Sequence, residues 1–202
     1  RKGKLELNKR NGKNKNMKKM LVVAINYYPE ETGCGLYTTE MSEYFRDNEY
    51  EVEVLTGFPY YPKWEISDEY QNKKNQMIEI INGVKVHRVK QYVPKKVNTI
   101  KRVLHLLDYT KKAKSFFPKG NFDVIIVIAP TLFSAKLAVK YKKKNRNTKI
   151  CLHIQDFESD AALESGIFTK LPFLKKLISN WETKLMNRFD IVSTISNGMI
   201  EK

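Results

Sequence analysis

The chain has 202 residues, 42% of them hydrophobic, and 37 Lys/Arg stand against 22 Asp/Glu for a net charge of +15. That length holds one sizeable α/β domain, and no apolar run is long enough to cross a bilayer or to form the core of a secretion signal. The charge suggests nucleic acid until it is located: residues 1–20 carry nine Lys/Arg and one acid, Glu6, so 9 − 1 = +8 lies there and 15 − 8 = +7 in the remainder.

RKGKLELNKRNGKNKN has no hydrophobic period, so residues 1–19 read as a disordered basic leader outside the fold, with Met17 or Met20 as the start of the domain proper. Cys34 and Cys151 are far apart and lack metal-ligand spacing, which fits unbridged thiols in a reducing, cytoplasmic compartment.

Leu21 to Ile25 is a β-branched apolar run that predicts the first strand, and Pro29, Gly33 and Gly35 then mark a turn. Leu36, Met41, Tyr44 and Phe45 follow at helical spacing. A strand, a glycine loop and a helix in that order bring uncovered backbone N–H groups and the positive end of a helix dipole toward any anion. The same two glycines could simply make a tight turn. A dinucleotide fingerprint is incomplete, because Thr38 replaces the third glycine and the next strand ends in Thr56-Gly57 without an acid. No glycine here precedes Lys-Ser or Lys-Thr, which excludes a phosphate-loop NTPase.

Glu51 to Thr56 predicts the second strand, and Gly57 opens a long loop, FPYYPKWEISDEYQNKKN, rich in aromatics and too irregular for a helix. Such rings either stack on a sugar or lid the core. Met77–Ile81 and Val84–Val89 around Asn82-Gly83 predict a β-hairpin. Over Asn98–Phe117 the apolar set Ile100, Val103, Leu104 and Leu107 predicts a helix with one core-facing stripe, although Lys101, Arg102, Lys111, Lys112 and Lys114 would also suit an anionic membrane surface. Asp123–Ala129 predicts a strand buried on both faces, Leu132–Lys144 a helix, and Lys149–Ile154 a strand running into Gln155-Asp156-Phe157-Glu158-Ser159-Asp160. Carboxylates just past a parallel strand lie on the ligand-binding side of a sheet, or one of them caps the next helix. Leu171–Asn187 predicts a helix and Ile191–Ile195 a last strand. The alternation predicts an α/β fold, a Rossmann-like doubly wound, mostly parallel sheet with helices on both faces.

Four segments taken together, PEETGCGLYTTEMSEYF, LTGFPYYPKW, HIQDFESDAALESGIF and WETKLMNRFDIVSTISNGM, resemble the N-terminal domain of group 1 (family 4) glycosyltransferases over residues 20–202. The similarity is to enzymes of bacterial colanic-acid, capsule and O-antigen assembly. It implies one half of a GT-B fold, with the acceptor on this domain and the nucleotide sugar on a C-terminal domain absent from the chain. It also implies that Gly33, Cys34 and Gly35 face the donor diphosphate and sugar, that Tyr60, Tyr61 and Trp64 line the acceptor side, and that Asp156 and Glu158 meet the reacting sugar. The donor would be a substrate, with no cofactor and no metal. Expected partners are a saccharide or lipid-linked acceptor, the C-terminal domain, and the anionic inner face of the cell membrane. Anomeric configuration would be retained, and this half alone would be inactive. The alternatives are a stand-alone saccharide-binding or scaffolding half of a split enzyme and a basic nucleic-acid-binding module. The last rests on charge alone, and no nucleic-acid motif is present.

Overall fold

The computed structural model describes residues 17–130, 132–155 and 172–200. Seven strands are seen among them: β1 (Lys18–Val23), β2 (Tyr50–Gly57), β3 (Gln76–Ile81), β4 (Val84–Val89), β5 (Val124–Ala129), β6 (Lys149–Ile154) and β7 (Ile191–Thr194). The helices are α1 (Gly33–Asp47), α2 (Asp68–Gln71), α3 (Thr99–Ser115), α4 (Leu132–Lys144), α5 (Pro172–Met186) and α6 (Asn197–Ile200). The strands form one sheet in the order β3-β4-β2-β1-β5-β6-β7, parallel throughout except for β3 against β4. The sequence of β1 explains its central place. Leu21 and Val23, with Ile25 just beyond, enter one core cluster, while Met20, Val22 and Ala24 enter the other. A strand buried on both faces needs such an unbroken apolar run.

The sheet is of the doubly wound, Rossmann-like α/β kind that the alternation predicts. Its winding reverses at β1, which has β2 on one side and β5 on the other. The hairpin is also found, with Asn82 at φ +46 and Gly83 at φ +78 supplying the left-handed turn that matches the twist of β3 and β4. β1 begins at Lys18, so Lys18 and Lys19 belong to the sheet and not to the leader, while residues 1–16 lie outside the described residues.

Local pattern misleads in three places. The aromatic loop contains a short helix, α2, whose Tyr70 is buried. On α1 the buried positions are Gly35, Thr38, Thr39 and Ser42, whereas Leu36, Tyr37 and Tyr44 are exposed. Small hydroxyl residues let this helix sit close to the sheet, and each hydroxyl donates to a carbonyl four residues back: Thr38 to Cys34 O at 2.6 Å, Thr39 to Gly35 O at 2.8 Å and Ser42 to Thr38 O at 2.7 Å. Their polarity is therefore satisfied within the helix.

The third correction is the largest. Ile100, Val103, Leu104 and Leu107 do not face the core; they are 68%, 38%, 51% and 43% exposed. α3 packs through its opposite side, His105, Leu106, Tyr109 and Ala113. Tyr109 settles the orientation, because its buried hydroxyl lies 3.0 Å from both the Ala24 and Leu55 carbonyls and so anchors the helix to β1 and β2. A fully buried phenol needs that partner, and only this side of the helix offers one. Asn98 caps the helix by accepting from Lys101 N–H at 2.9 Å.

Candidate functional site

In an open parallel sheet ligands bind beyond the carboxyl ends of the strands, at the point where the winding reverses. Here that point lies between the ends of β1 and β5, and a cleft of 190 Å³ opens there. Asn26 follows β1 and Pro130 follows β5; Gly33 and Cys34 come from the start of α1, Tyr60, Tyr61 and Trp64 from the loop after β2, and Arg102, His105 and Leu106 from α3. Five of the residues singled out in the sequence thus meet in one cleft. Gly35 is not among its lining residues. Asp156 and Glu158 lie outside the described residues, beyond β6, whose carboxyl end runs alongside that of β5.

Sequence reading missed Asn26, Glu30, Arg102 and His105. Glu30 organises the rim: only 5% exposed, it accepts from Asn26 Nδ2 at 2.7 Å, Tyr60 N–H at 2.8 Å and Tyr61 N–H at 2.9 Å. One carboxylate therefore ties the loop after β1 to the aromatic loop after β2. Burial raises its pKa, against the pull of those hydrogen bonds and of Arg88. The available signal was an acid following Pro29 in a strand-end loop, four residues after an amide.

The two glycines serve different ends. Gly33 has φ +55 and nothing within 4 Å of where a Cβ would stand, so only its backbone conformation favours glycine. At Gly35 a Cβ would lie 2.7 Å from both the Cβ and the carbonyl oxygen of Glu30. The expected glycine loop is in fact the first turn of α1, with Gly33 at its opening and Gly35 pressed on the Glu30 segment. Gly35→Ala should cost about 2–3 kcal/mol, because the contacted backbone cannot step aside. Gly33→Ala should cost about 1–2 kcal/mol. Chemical denaturation of both variants checks that order, and a Gly35 variant no weaker than the Gly33 variant would remove the close-approach account.

The aromatic residues divide as well. Tyr60 is 6% exposed and part of the main core, Trp64 packs on it at 5.3 Å between ring centres, and Tyr61 is 43% exposed. His105 stacks edge-on against Tyr60 at 4.6 Å. Its Nδ1 pairs with the Tyr92 carbonyl, which assigns the ring proton to Nδ1 and leaves buried Nε2 as an acceptor without a partner among the described residues. Burial lowers the His105 pKa and favours this neutral form. The cleft thus offers aromatic faces, backbone N–H groups at a helix start and one guanidinium. Such a set suits a sugar beside an anion.

Residues 32–202 match the glycosyl transferase 4-like domain. The chain belongs to that family. As a glycosyl transferase 4-like domain it is 39% identical over 191 residues to WcaI of Escherichia coli (strain K12), a protein named for glycosyl transfer in colanic acid biosynthesis. The match covers 91% of this chain and 46% of WcaI, so the chain spans less than half the length of that relative. Among solved structures, sucrose-phosphate synthase from Thermosynechococcus elongatus superposes on 69% of this domain and 33% of its own chain, with 11% identity and a TM-score of 0.44, too slight a likeness to argue from.

Proposed function

We propose that this glycosyl transferase 4-like domain is the acceptor-binding half of a GT-B enzyme. The enzyme moves a sugar from a nucleotide-sugar donor to a saccharide or lipid-linked acceptor, with retention, in bacterial surface polysaccharide synthesis. The observation that carries the reading is the meeting of the α1 start with the aromatic loop at the sheet's reversal point. Gly33 and Cys34 then face the donor diphosphate and transferred sugar, with Gly35 holding the turn in place. Tyr60, Tyr61 and Trp64 shape the acceptor side, and Asp156 and Glu158 act at the reacting sugar.

The physical account is electrostatic. N–H groups at the α1 start and the Arg102 guanidinium offset charge on the departing diphosphate while the acceptor hydroxyl attacks from the same face. That chemistry calls on no metal or cofactor. A donor-holding domain must close over the cleft to complete it, and the enzyme works at the inner face of the cell membrane.

The test is transfer of labelled sugar from a panel of nucleotide sugars to lipid-linked and free saccharide acceptors. It is run with the 202-residue chain and with the same chain joined to a donor-holding domain of its family. No turnover is expected from the first and measurable turnover from the second, falling about 100-fold in Asp156→Asn. Turnover by the chain alone would refute the half-enzyme reading. A joined protein that binds saccharide without transferring sugar would favour the scaffolding alternative.

A further inference from the structure

The aromatic loop after β2 shapes a second hollow beside the cleft. This groove of 470 Å³ shares Tyr60 and Tyr61 with the cleft and is completed by Pro29, Pro62, Lys63 and residues 65–69. The cleft's 190 Å³ falls short of the roughly 300–1,000 Å³ of an ordinary ligand site, and the groove makes up the difference. Its walls are held in place. Tyr60 O accepts from Glu65 N–H at 3.2 Å, Pro59 O accepts from Ser67 N–H at 3.0 Å, and the Tyr61 N–H is tied to Glu30 at 2.9 Å. The Tyr61 ring is nevertheless 43% exposed, so an open aromatic face stands on a fixed backbone between the two hollows.

The groove differs from the cleft in charge. The cleft carries the Arg102 guanidinium and no carboxylate, whereas the groove sets Glu65, Asp68 and Glu69 against Lys63. That is 1 − 3 = −2, although residues 21–202 carry +7 overall. Asp68 is occupied, since it accepts from Gln71 Nε2 at 2.8 Å. The exposed carboxylates of Glu65 and Glu69 have no hydrogen bond or ion pair among the described residues. An open ring beside two such acceptors matches the chemistry of a sugar. The C–H bonds of a pyranose face suit the negative face of a tyrosine ring, and its hydroxyls donate to carboxylates. A sugar bearing its own carboxylate would meet like charge instead.

We propose that the groove is a second saccharide subsite, so that the acceptor is an oligosaccharide whose sugar next to the reacting one is uncharged. The reacting sugar lies in the cleft, and its neighbour crosses the Tyr61 ring and donates hydroxyls to Glu65 and Glu69. This rests on the reading of the cleft as the acceptor side. Saccharide binding needs neither donor nor transfer, so the two claims fail separately.

The test is backbone-amide NMR of the 202-residue chain, titrated with neutral hexose oligosaccharides of one to four sugars and with uronic-acid oligomers of the same lengths. Neutral chains of two or more sugars should shift the amides of residues 63–69 together with those of the cleft, and should bind about tenfold more tightly than a single hexose. The uronic-acid oligomers should bind about tenfold more weakly than their neutral counterparts. Glu65→Gln with Glu69→Gln should weaken the longer neutral chains about tenfold and leave the single hexose unchanged, at an unchanged melt, since both side chains are exposed. Tyr61→Ala should weaken them by a similar factor, about tenfold, while Tyr61→Phe, which keeps the ring, should bind like the parent. Shifts confined to Asn26, Gly33, Arg102 and His105, equal affinity for one sugar and for longer chains, a preference for uronic acids, or no binding of any saccharide would overturn the proposal. So would groove amides that ignore every saccharide and move only when a donor-holding domain is joined, which would make this surface a domain contact.

Discussion

Arg88→Met should lower the stability of the domain by about 3–5 kcal/mol, or about 10 °C in melting temperature. Arg88 is fully buried in β4 and is the largest such side chain. Its guanidinium donates to the Gly57 carbonyl at 3.1 Å, to the Tyr28 carbonyl and to Glu79, and lies 5.0 Å over the Tyr70 ring. Methionine fills similar space but takes the charged donor away from two carbonyls and from the Glu79 carboxylate, which keeps the Tyr70 hydroxyl at 3.1 Å. The Tyr28 carbonyl lies in the loop after β1, two residues before Glu30, and the Gly57 carbonyl ends β2, three residues before Tyr60. Ligand affinity at the cleft should therefore fall along with the melt. Calorimetry on the variant checks the first effect, and a loss below 1 kcal/mol would mean that water replaces the guanidinium in this core.

Glu30→Ala should cost nearly as much, about 3–5 kcal/mol, because the Tyr60 and Tyr61 N–H groups lose their acceptor inside the protein. Glu30→Gln is the informative companion, since its carbonyl oxygen can still accept from both. Burial lifts the Glu30 pKa above its usual 4.5, so the folded state keeps this proton to higher pH than the unfolded chain does. Its stabilising contribution is fully present below the unfolded value and is lost as pH rises through the folded one. Gln does not titrate. The melting temperature of Glu30→Gln relative to the parent should therefore climb as pH rises through the window above 4.5. A difference that stays flat or shrinks across that window would show that the three hydrogen bonds outweigh burial.

These effects bear on how far the sequence could be read. The sheet was legible because β1 and β5 are apolar on both faces and the Asn82-Gly83 turn leaves little choice of connection. Tyr60, Tyr61 and Trp64 stood out for being aromatic in a loop. The helix faces were not legible. Periodicity locates an apolar stripe on α3 but cannot say which side the sheet will take, and a tyrosine hydroxyl with two carbonyls within reach settled it. On α1 half of the apolar pattern, Met41 and Phe45, does pack on the core, but the most deeply buried positions are glycine, threonine and serine, which a hydrophobic count passes over until their bonds to the preceding turn are known. Glu30 was missed for a similar reason: a carboxylate reads as surface unless the donors that converge on it, from a loop thirty residues away, can be seen.

The contact between Gly35 and Glu30 also bears on how this sequence can drift over time. The obstruction comes from the Cβ and carbonyl oxygen of residue 30, atoms that every replacement there except glycine retains, so no ordinary exchange at position 30 frees position 35. Within the fold, position 33 is limited only by its left-handed backbone, which asparagine or aspartate can also adopt, but a side chain there would enter the cleft. Two glycines that look like one motif are therefore held by different things: the second by the packing of the fold, the first by its backbone and by the room a cleft ligand needs.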